Sequence, residues 1–313
     1  MEKVLKKKAL GAFLKKLASF GQVYGPVKTD TVRFEPVSHE KQLCLDEHAW
    51  FPVKEFLFPQ KQVFFRFDGE KIITEDNVKK AVLFGLRKCD LNAFLINDKL
   101  FLEGEHKDLF YEQRRNNLLL VGLYCYHELD EFCFCSSMNL QDYHDIMLYD
   151  RGSYYQVKAG TPKGEFFIAH LKDTEAFVPP PTTCSLALPT QEIAHLFEHQ
   201  AWKEGADSCT SCGHCTNLCP TCLCFTISDD VALDGKGERV AEWDSCQYKE
   251  FTEVAGGHVF REKRVDRFKH RIYHKIQYFR ERFDMSMCTG CGRCIRGCPE
   301  KIHWIHLIGK MTQ

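Results

Sequence analysis

The stretch that decides the fold of this chain is Cys209-Thr-Ser-Cys-Gly-His-Cys-Thr-Asn-Leu-Cys-Pro220, and the stretch Cys288-Thr-Gly-Cys-Gly-Arg-Cys-Ile-Arg-Gly-Cys-Pro299 repeats its spacing. Each stretch reads C-x2-C-x2-C-x3-C-P. Gaps of two residues allow three thiolates of one loop to reach three corners of an iron–sulfur cube, and the fourth cysteine of such a run binds the other cube. The two runs therefore predict two [4Fe–4S] clusters that share ligands.

The ligand sets follow from this sharing. The first cluster takes Cys209, Cys212, Cys215 and Cys298. The second cluster takes Cys288, Cys291, Cys294 and Cys219. Structural zinc is the alternative, because zinc also binds C-x2-C pairs, but its ligands usually come as two separated pairs rather than as four cysteines in one short run. The repetition of the whole run favours clusters.

Composition sets the limits for the rest of the chain. A chain of 313 residues allows about two domains, and a hydrophobic fraction of 44% allows a sizeable core. The formal net charge of −1 gives no electrostatic basis for binding nucleic acid or an anionic membrane through the whole surface. We read no signal peptide and no apolar stretch near the roughly 18 residues of a membrane span. We expect a cytoplasmic, reducing and anaerobic setting, in which 17 cysteines stay reduced.

Residues 1–178 predict a mixed α/β domain with a partly parallel sheet. Residues 81–86 and 118–125 are continuous apolar runs, which are typical of strands buried on both faces. A helix capped by Asp90, after a short loop, lies between them, so the order strand, helix, strand predicts two parallel neighbours. Residues 63–73 read as a β-hairpin of the same domain.

Four further cysteines follow the carboxyl ends of these strands, where sites form in parallel sheets. They are Cys89, Cys125, Cys133 and Cys135. Four thiolates is the number that a cube requires, so we predict a third [4Fe–4S] site. The alternative is that they are buried free thiols, which are common in cores, and their spacing matches no standard run. Cys44 and Cys184 carry no signal.

The C-terminal part predicts a second domain. Residues 165–170 read as a last strand of the first domain, and residues 179–189 as a stiff proline-rich linker. Residues 190–313 then predict a mostly helical, ferredoxin-like domain with a long insertion at residues 221–287. The second half of the insertion predicts a basic helix, residues 265–283. We expect this helix to bind an acidic partner subunit or to neutralise ligated cubes rather than to grip nucleic acid.

Two smaller groups of residues are left. Cys222, Cys224 and Cys246 could ligate or shield a cluster, but the ligand counts are complete without them, so we interpret them as spare buried thiols. His270 and His274 are spaced to chelate a metal from one helix face. No third ligand is visible nearby, so we interpret them as ordinary histidines.

Taken in order, the motifs resemble the beta subunit of cytoplasmic sulfhydrogenases (hydrogenase/sulfur reductases) and, less closely, an iron–sulfur subunit of anaerobic sulfite reductases. The resemblance covers nearly the full length and rests, beside the two cysteine runs, on Tyr24-Gly-Pro-Val27, Lys54-Glu-Phe-Leu-Phe-Pro59, Phe84-Gly-Leu-Arg-Lys-Cys-Asp90, Cys133-Phe-Cys135, Gly160-Thr-Pro162, Cys219-Pro-Thr-Cys222, Trp243-Asp-Ser-Cys246 and Ala255-Gly-Gly-His258. The family holds the same four N-terminal cysteines, which favours the third cluster. It also shares the three remaining cysteines of the insertion, without giving them a role.

This resemblance implies an iron–sulfur protein that carries electrons between two partners. One is a flavin subunit that handles NAD(P)H, and the other is a catalytic subunit that handles hydrogen, polysulfide or sulfite. The tail, residues 301–311, is more similar to the sulfite reductase protein, so the catalytic partner stays open.

The residues themselves agree with a relay. We find no G-x-G-x-x-G turn, no P-loop and no constellation for acyl or phosphoryl transfer, and a cube held by four cysteines has no open iron for substrate. We therefore expect no substrate-converting site, no nucleic acid partner and no membrane span. The alternative class is a redox sensor or nucleic-acid-binding protein that uses its clusters structurally, and its affinity for DNA or RNA would fall steeply with salt.

Overall fold

A computed structural model describes residues 2–69, 71–74 and 78–313 of the protein, which forms two compact units. The first unit comprises Met1–Val53, Val78–Ala187 and Thr289–Gly292. The second comprises Lys54–Asn77, Leu188–Cys288 and Arg293–Gln313. Each unit is thus assembled from three separate segments of the chain.

The strands, in chain order, are β1 (Glu2–Lys6), β2 (Gln22–Lys28), β3 (Val32–Pro36), β4 (Lys61–Asp68), β5 (Lys71–Ile73), β6 (Ala81–Leu86), β7 (Leu118–Leu123), β8 (Ile146–Asp150), β9 (Tyr154–Ala159), β10 (Lys172–Thr174), β11 (Phe225–Val231), β12 (Lys236–Trp243), β13 (Glu253–Val254) and β14 (His258–Val259). The α-helices are α1 (Leu10–Leu17), α2 (Lys88–Leu102), α3 (Leu109–Asn116), α4 (Pro162–Ile168), α5 (Ala201–Asp207), α6 (His214–Asn217), α7 (Arg264–Tyr273), α8 (Phe279–Phe283), α9 (Arg293–Arg296) and α10 (Trp304–Met311). Short 3₁₀ turns lie at Lys7–Ala9, Glu40–Gln42, Val53–Phe56, Cys135–Ser137, Ala194–Leu196 and Glu250–Thr252.

The first unit is built on an eight-stranded mixed sheet with the strand order β10-β1-β9-β8-β7-β6-β2-β3. Its centre is parallel, since β2 pairs with β6, β6 with β7, and β7 with β8 in parallel, while the outer pairs are antiparallel. Every residue of β6 and β7 is buried. Both strands and their parallel pairing confirm the prediction from the two apolar runs.

Two local predictions for this unit were wrong. Helix α2 begins at Lys88, so Cys89 lies in its first turn rather than in a preceding loop, and the Asp90 carboxylate accepts a hydrogen bond from the Arg87 backbone N–H at 3.3 Å. Residues 165–170 do not form a strand, because α4 covers most of them. The Thr161 hydroxyl caps that helix by accepting from the Gly164 N–H, and Pro162 occupies the first turn, where its missing N–H costs nothing.

The second unit contains a four-stranded antiparallel sheet with the order β11-β12-β4-β5. The expectation of a mostly helical domain is not confirmed, because this sheet accompanies the short helices. The β4–β5 hairpin matches the hairpin predicted at residues 63–73, although Glu70 in its loop lies outside the described residues. Its partner is unexpected, since β4 pairs with β12 of the insertion within this unit.

The predicted basic helix of the insertion forms. It runs as α7, a π-helical turn at His274–Tyr278, and α8 without a break. The helix ends at Asp284, whose positive φ of 54° is the left-handed conformation typical of a helix stop. Within the part of the chain that the structure describes, no helix combines the length and the apolar character that crossing a membrane requires.

Candidate metal centres

A cavity of about 50 Å³ in the second unit is lined by cysteines of both runs. The wall contains the four residues assigned to the first cluster, Cys209, Cys212, Cys215 and Cys298. Gly213 has a positive φ of 76° at the start of α6, and a Cβ there would lie 2.5 Å from the Tyr248 hydroxyl. Glycine is therefore required where the cysteine loop turns into its helix. The structure thus places the last cysteine of the second run among the first three of the first run.

N–H groups point at the sulfur atoms of this region. The backbone N–H of Ser211 donates to Cys209 Sγ at 3.3 Å, and that of Ile302 to Cys298 Sγ at 3.4 Å. The indole N–H of Trp304 donates to Cys294 Sγ at 3.4 Å. Such donors stabilise negative charge on sulfur and raise the reduction potential of a bound cluster.

The second ligand set is drawn from segments of both units. Cys291 belongs to the segment Thr289–Gly292 of the first unit, whereas Cys219, Cys288 and Cys294 belong to the second. Gly290 and Gly292 on either side of Cys291 both have positive φ, at 67° and 74°. This loop therefore has the same glycine-dependent turns as the first run.

Five cationic side chains of the second unit are buried, whereas none of the carboxylates that the structure describes in this unit is. They are Lys54, Arg267, Arg271, Lys275 and Arg293. A buried charge is costly unless a counter-charge or hydrogen bonds compensate it. The chemistry of the site supplies that counter-charge, because cysteine thiolates bound to an iron–sulfur cluster carry net negative charge. The buried cations are the observation on which the residues of this unit fit anionic clusters.

Contacts of these cations lead to the cysteine loops. Arg271 of α7 donates to the Cys215 carbonyl at 2.7 Å, and Lys275 in the π turn donates to the Thr221 hydroxyl at 3.0 Å. Burial lowers the pKa of Lys275, but the neighbouring thiols of Cys219 and Cys222 outweigh it and leave that pKa above its ordinary value. The inward face of the basic helix therefore neutralises sulfur charge.

The four N-terminal cysteines line one cavity of about 20 Å³ in the first unit. They are Cys89, Cys125, Cys133 and Cys135. The first is held by α2 and the second follows β7, so the parallel strands deliver both to one edge of the sheet. The other two come from the loop that follows. Burial raises the pKa of the Cys133 thiol to about 12, so a thiolate there depends on a bound metal.

Other side chains reach this cavity without any signal in the sequence. The imidazole Nε2 of His48 lies 3.9 Å from Cys89 Sγ, and Cys184 Sγ lies 3.6 Å from Cys135 Sγ. Arg87 donates from Nη1 to Cys125 Sγ at 3.8 Å. His48 and Cys184 come from loops far away in sequence, so only the tertiary structure reveals them. The basic side chains supply donors and positive charge, which fit four thiolates.

The remaining candidates are clearly placed. Cys222 and Cys246 are buried and Cys224 is half-buried, all in the second unit. The rings of His270 and His274 stack with centroids 5.6 Å apart. Burial lowers the pKa of His270 to about 4 and that of His274 to about 3. Among the described residues, neither histidine belongs to a group of three or more potential metal ligands, so they remain a neutral stacked pair.

Comparison with known proteins agrees with this geometry. Residues 208–302 match the 4Fe-4S dicluster domain family, which contains both cysteine runs. The chain is 33% identical over 327 aligned positions to sulfhydrogenase 2 subunit beta of Pyrococcus furiosus, an alignment that covers 96% of this chain and 95% of that protein. No solved structure matches the chain. The protein is an iron–sulfur electron-transfer protein, and it belongs to the family of sulfhydrogenase beta subunits.

Proposed function

We propose that this chain relays single electrons through three [4Fe–4S] clusters between two partner subunits of an oxidoreductase. One partner carries a flavin and exchanges a hydride with NAD(P)H, and the other is a catalytic subunit of the hydrogenase and sulfur reductase type. The corresponding iron–sulfur subunit of an anaerobic sulfite reductase is the nearest variant of this role. The name of the Pyrococcus relative supports a multi-subunit assembly.

A bound [4Fe–4S] cluster accepts and donates one electron at a time. The role of the protein is to hold the cluster, to set its potential and to exclude water. Cysteine sulfurs of the first cavity would bind the first cluster, and the N–H groups of Ser211 and Ile302 would stabilise the charge on their sulfurs. The four cysteines of the first unit would bind the third, with Arg87 donating to Cys125. We assign the second cluster to Cys219, Cys288, Cys291 and Cys294.

The observation that carries the relay is a contact inside the first unit between two cysteine loops. Phe134, between Cys133 and Cys135, donates its backbone N–H to the Gly290 carbonyl at 2.9 Å. A Cβ on Gly290 would lie 2.6 Å from the Cα of Cys135, so the loops touch backbone to backbone. Loops in such contact support electron transfer between the sites that they carry.

The test uses the intact complex. The variant Cys89→Ser should abolish NAD(P)H-linked turnover, because it removes a ligand of the third cluster, while artificial dyes that react directly with the catalytic subunit continue to work. The matched control is Cys44→Ser, since Cys44 is another cysteine of this unit, half-buried, whose thiol donates to the Asp46 carboxylate at 3.5 Å and does not line the cavity. Wild-type NAD(P)H-linked rates in Cys89→Ser would remove the third site from the path. Loss of both activities would indicate a failed assembly instead, which gel filtration of the complex detects.

A further inference from the structure

Three thiols of the second unit have no part in the relay described above. Cys222 and Cys224 follow the first run directly, and Cys246 follows β12. The β11–β12 register pairs Phe225 with Trp243, and the Asp244 N–H donates to the Cys224 carbonyl at 2.9 Å. The chain then turns back, so that the Cys246 thiol forms a side-chain hydrogen bond with Cys224. The hairpin therefore brings together thiols that are far apart in sequence.

The surroundings of these thiols are cationic and rich in donors. The Lys54 side chain is only 5% exposed, and its Nζ donates to the carbonyls of Thr216 and Cys222 at 3.0 and 2.9 Å. Its ammonium lies 4.1 Å from the centroid of the Trp243 ring. The amide of Gln247, 1% exposed, donates to Cys246 Sγ at 3.7 Å. Lysine contacts with carbonyls and a ring provide hydrogen bonds but no net negative charge.

Two buried lysines, Lys54 and Lys275, therefore require anions nearby. Cys219 is one source of charge, but it serves the second cluster. The thiols of Cys222 and Cys224 are the other acidic groups that interact electrostatically with Lys54. Thiols held as thiolates in a protein interior are usually bound to a metal, because burial otherwise favours the protonated form.

Thiolates select thiophilic metals such as zinc and iron in iron–sulfur clusters. The spacing separates these two. Four sulfurs around one zinc ion lie roughly 3.8 Å apart, given Zn–S bonds of about 2.3 Å. Among the described residues, the one group of three potential ligands that lies within 4.8 Å is His48, Cys89 and Asp90. The thiols of Cys222, Cys224 and Cys246 are thus spread more widely than a single ion requires, as are those of the first cavity.

We propose that Cys222, Cys224 and Cys246 bind a further iron–sulfur cluster in the second unit, with Lys54 and Lys275 as its buried counter-charges. This goes beyond the relay, which needs none of the three residues. Three thiolates hold three corners of a cube, and a non-cysteine group completes the fourth. The Gln247 amide stabilises the charge on Cys246 as the backbone N–H groups do at the first cavity.

The experiment counts metal and sulfide in the intact chain, purified without oxygen. Wild-type protein should hold about 16 iron atoms rather than about 12, and native mass spectrometry should show a mass excess of four cubes. Cys224→Ser and Cys246→Ser should each lose about four irons and four sulfides while the electron paramagnetic resonance signals of the other clusters persist. The control variant Cys44→Ser should lose none.

Failure of this proposal and failure of the third relay site give different results. Cys89→Ser tests the relay site alone, and the double variant Cys89→Ser/Cys224→Ser should lose about eight irons if both sites exist. Unchanged iron in Cys224→Ser and Cys246→Ser would overturn the proposal, as would loss of about one zinc per chain or a disulfide between the two cysteines. Where both variants fail to fold, a wild-type mass excess of three cubes or fewer overturns it.

Discussion

Cys298 closes the second cysteine run, yet it lines the same cavity as Cys209, which opens the first. The two residues are 89 positions apart in the sequence, so the long insertion between the runs leaves the exchange of the fourth ligand intact at this end. The exchange makes each run dependent on the other for a complete cluster.

This exchange predicts the result of changing the fourth cysteines. Cys298→Ser should alter the electron paramagnetic resonance signal of the cluster bound by the first run, because serine oxygen replaces one of its thiolates, while the signal of the second-run cluster stays near native. Cys219→Ser is the matched variant and should give the opposite pattern. If Cys298→Ser and Cys288→Ser altered the same signal, each run would serve its own cube.

The third site is tested by iron content. Cys133→Ser should lower the iron content of the isolated chain by about four atoms and the sulfide content equally, since removal of one buried ligand releases the cube. Cys44→Ser should keep the wild-type content. Equal iron in Cys133→Ser and wild type, with both cysteine runs loaded, would contradict a cluster in this cavity.

The buried lysine of the π turn predicts a shift in potential. Lys275→Met keeps the length of the side chain but removes its charge, so the potential of the cluster bound by Cys219 should fall. One charge within about 10 Å contributes on the order of 1–2 kcal/mol at an effective dielectric constant near 20, which corresponds to roughly 50–90 mV for one electron. A redox titration followed by electron paramagnetic resonance measures it.

Lys310→Met provides the control for that titration. Lys310 is exposed, and its distance to Glu204 is 3.9 Å. Water and salt screen such a charge, so its removal should leave all potentials unchanged. Equal shifts in the two variants would show that the overall charge of the chain, and not the buried lysine, sets the potential.

The stacked histidines predict a loss of stability in mild acid. Burial lowers the pKa of His270 to about 4 and of His274 to about 3, below the ordinary value of 6.5. The unfolded chain therefore binds more protons than the folded chain below pH 6.5, and stability falls as the pH drops from about 6.5 towards 4. We expect a loss of roughly 2 kcal/mol per histidine between pH 7 and pH 5.

Thermal unfolding of the anaerobic protein at pH 7 and pH 5 measures this loss. The double variant His270→Gln/His274→Gln should show a smaller drop in melting temperature, because glutamine does not titrate. Equal drops in the two proteins would mean that carboxylates or cluster loss, and not these imidazoles, dominate the acid sensitivity.

Local sequence signals predicted the elements that local forces decide. The runs at residues 81–86 and 118–125 became β6 and β7 because only a central strand buries every residue of such a run. The same reasoning failed at residues 165–170, where the capping pair Thr161 and Pro162 outweighed the apolar residues that follow.

The candidate sites show the same limit. The convergence of four cysteines at one sheet edge followed from parallel topology, which relates strand ends to one another without side-chain detail. His48 and Cys184 reach the same cavity from loops, and loop paths depend on packing that no period in the sequence encodes. Pairing of β4 with β12 was likewise invisible, since both strands read as edges of separate hairpins.

That pairing has a consequence for how the protein can be made and cut. Strand β4 leaves the ribosome long before β12, so the antiparallel sheet of the second unit waits, half-made, for most of the chain to be synthesised. A recombinant fragment that starts at residue 190 contains both cysteine runs but lacks β4, and β12 then presents a bare row of N–H and C=O groups along one side. Such a fragment should aggregate, whereas supplying residues 54–77 as a separate peptide should rescue its solubility.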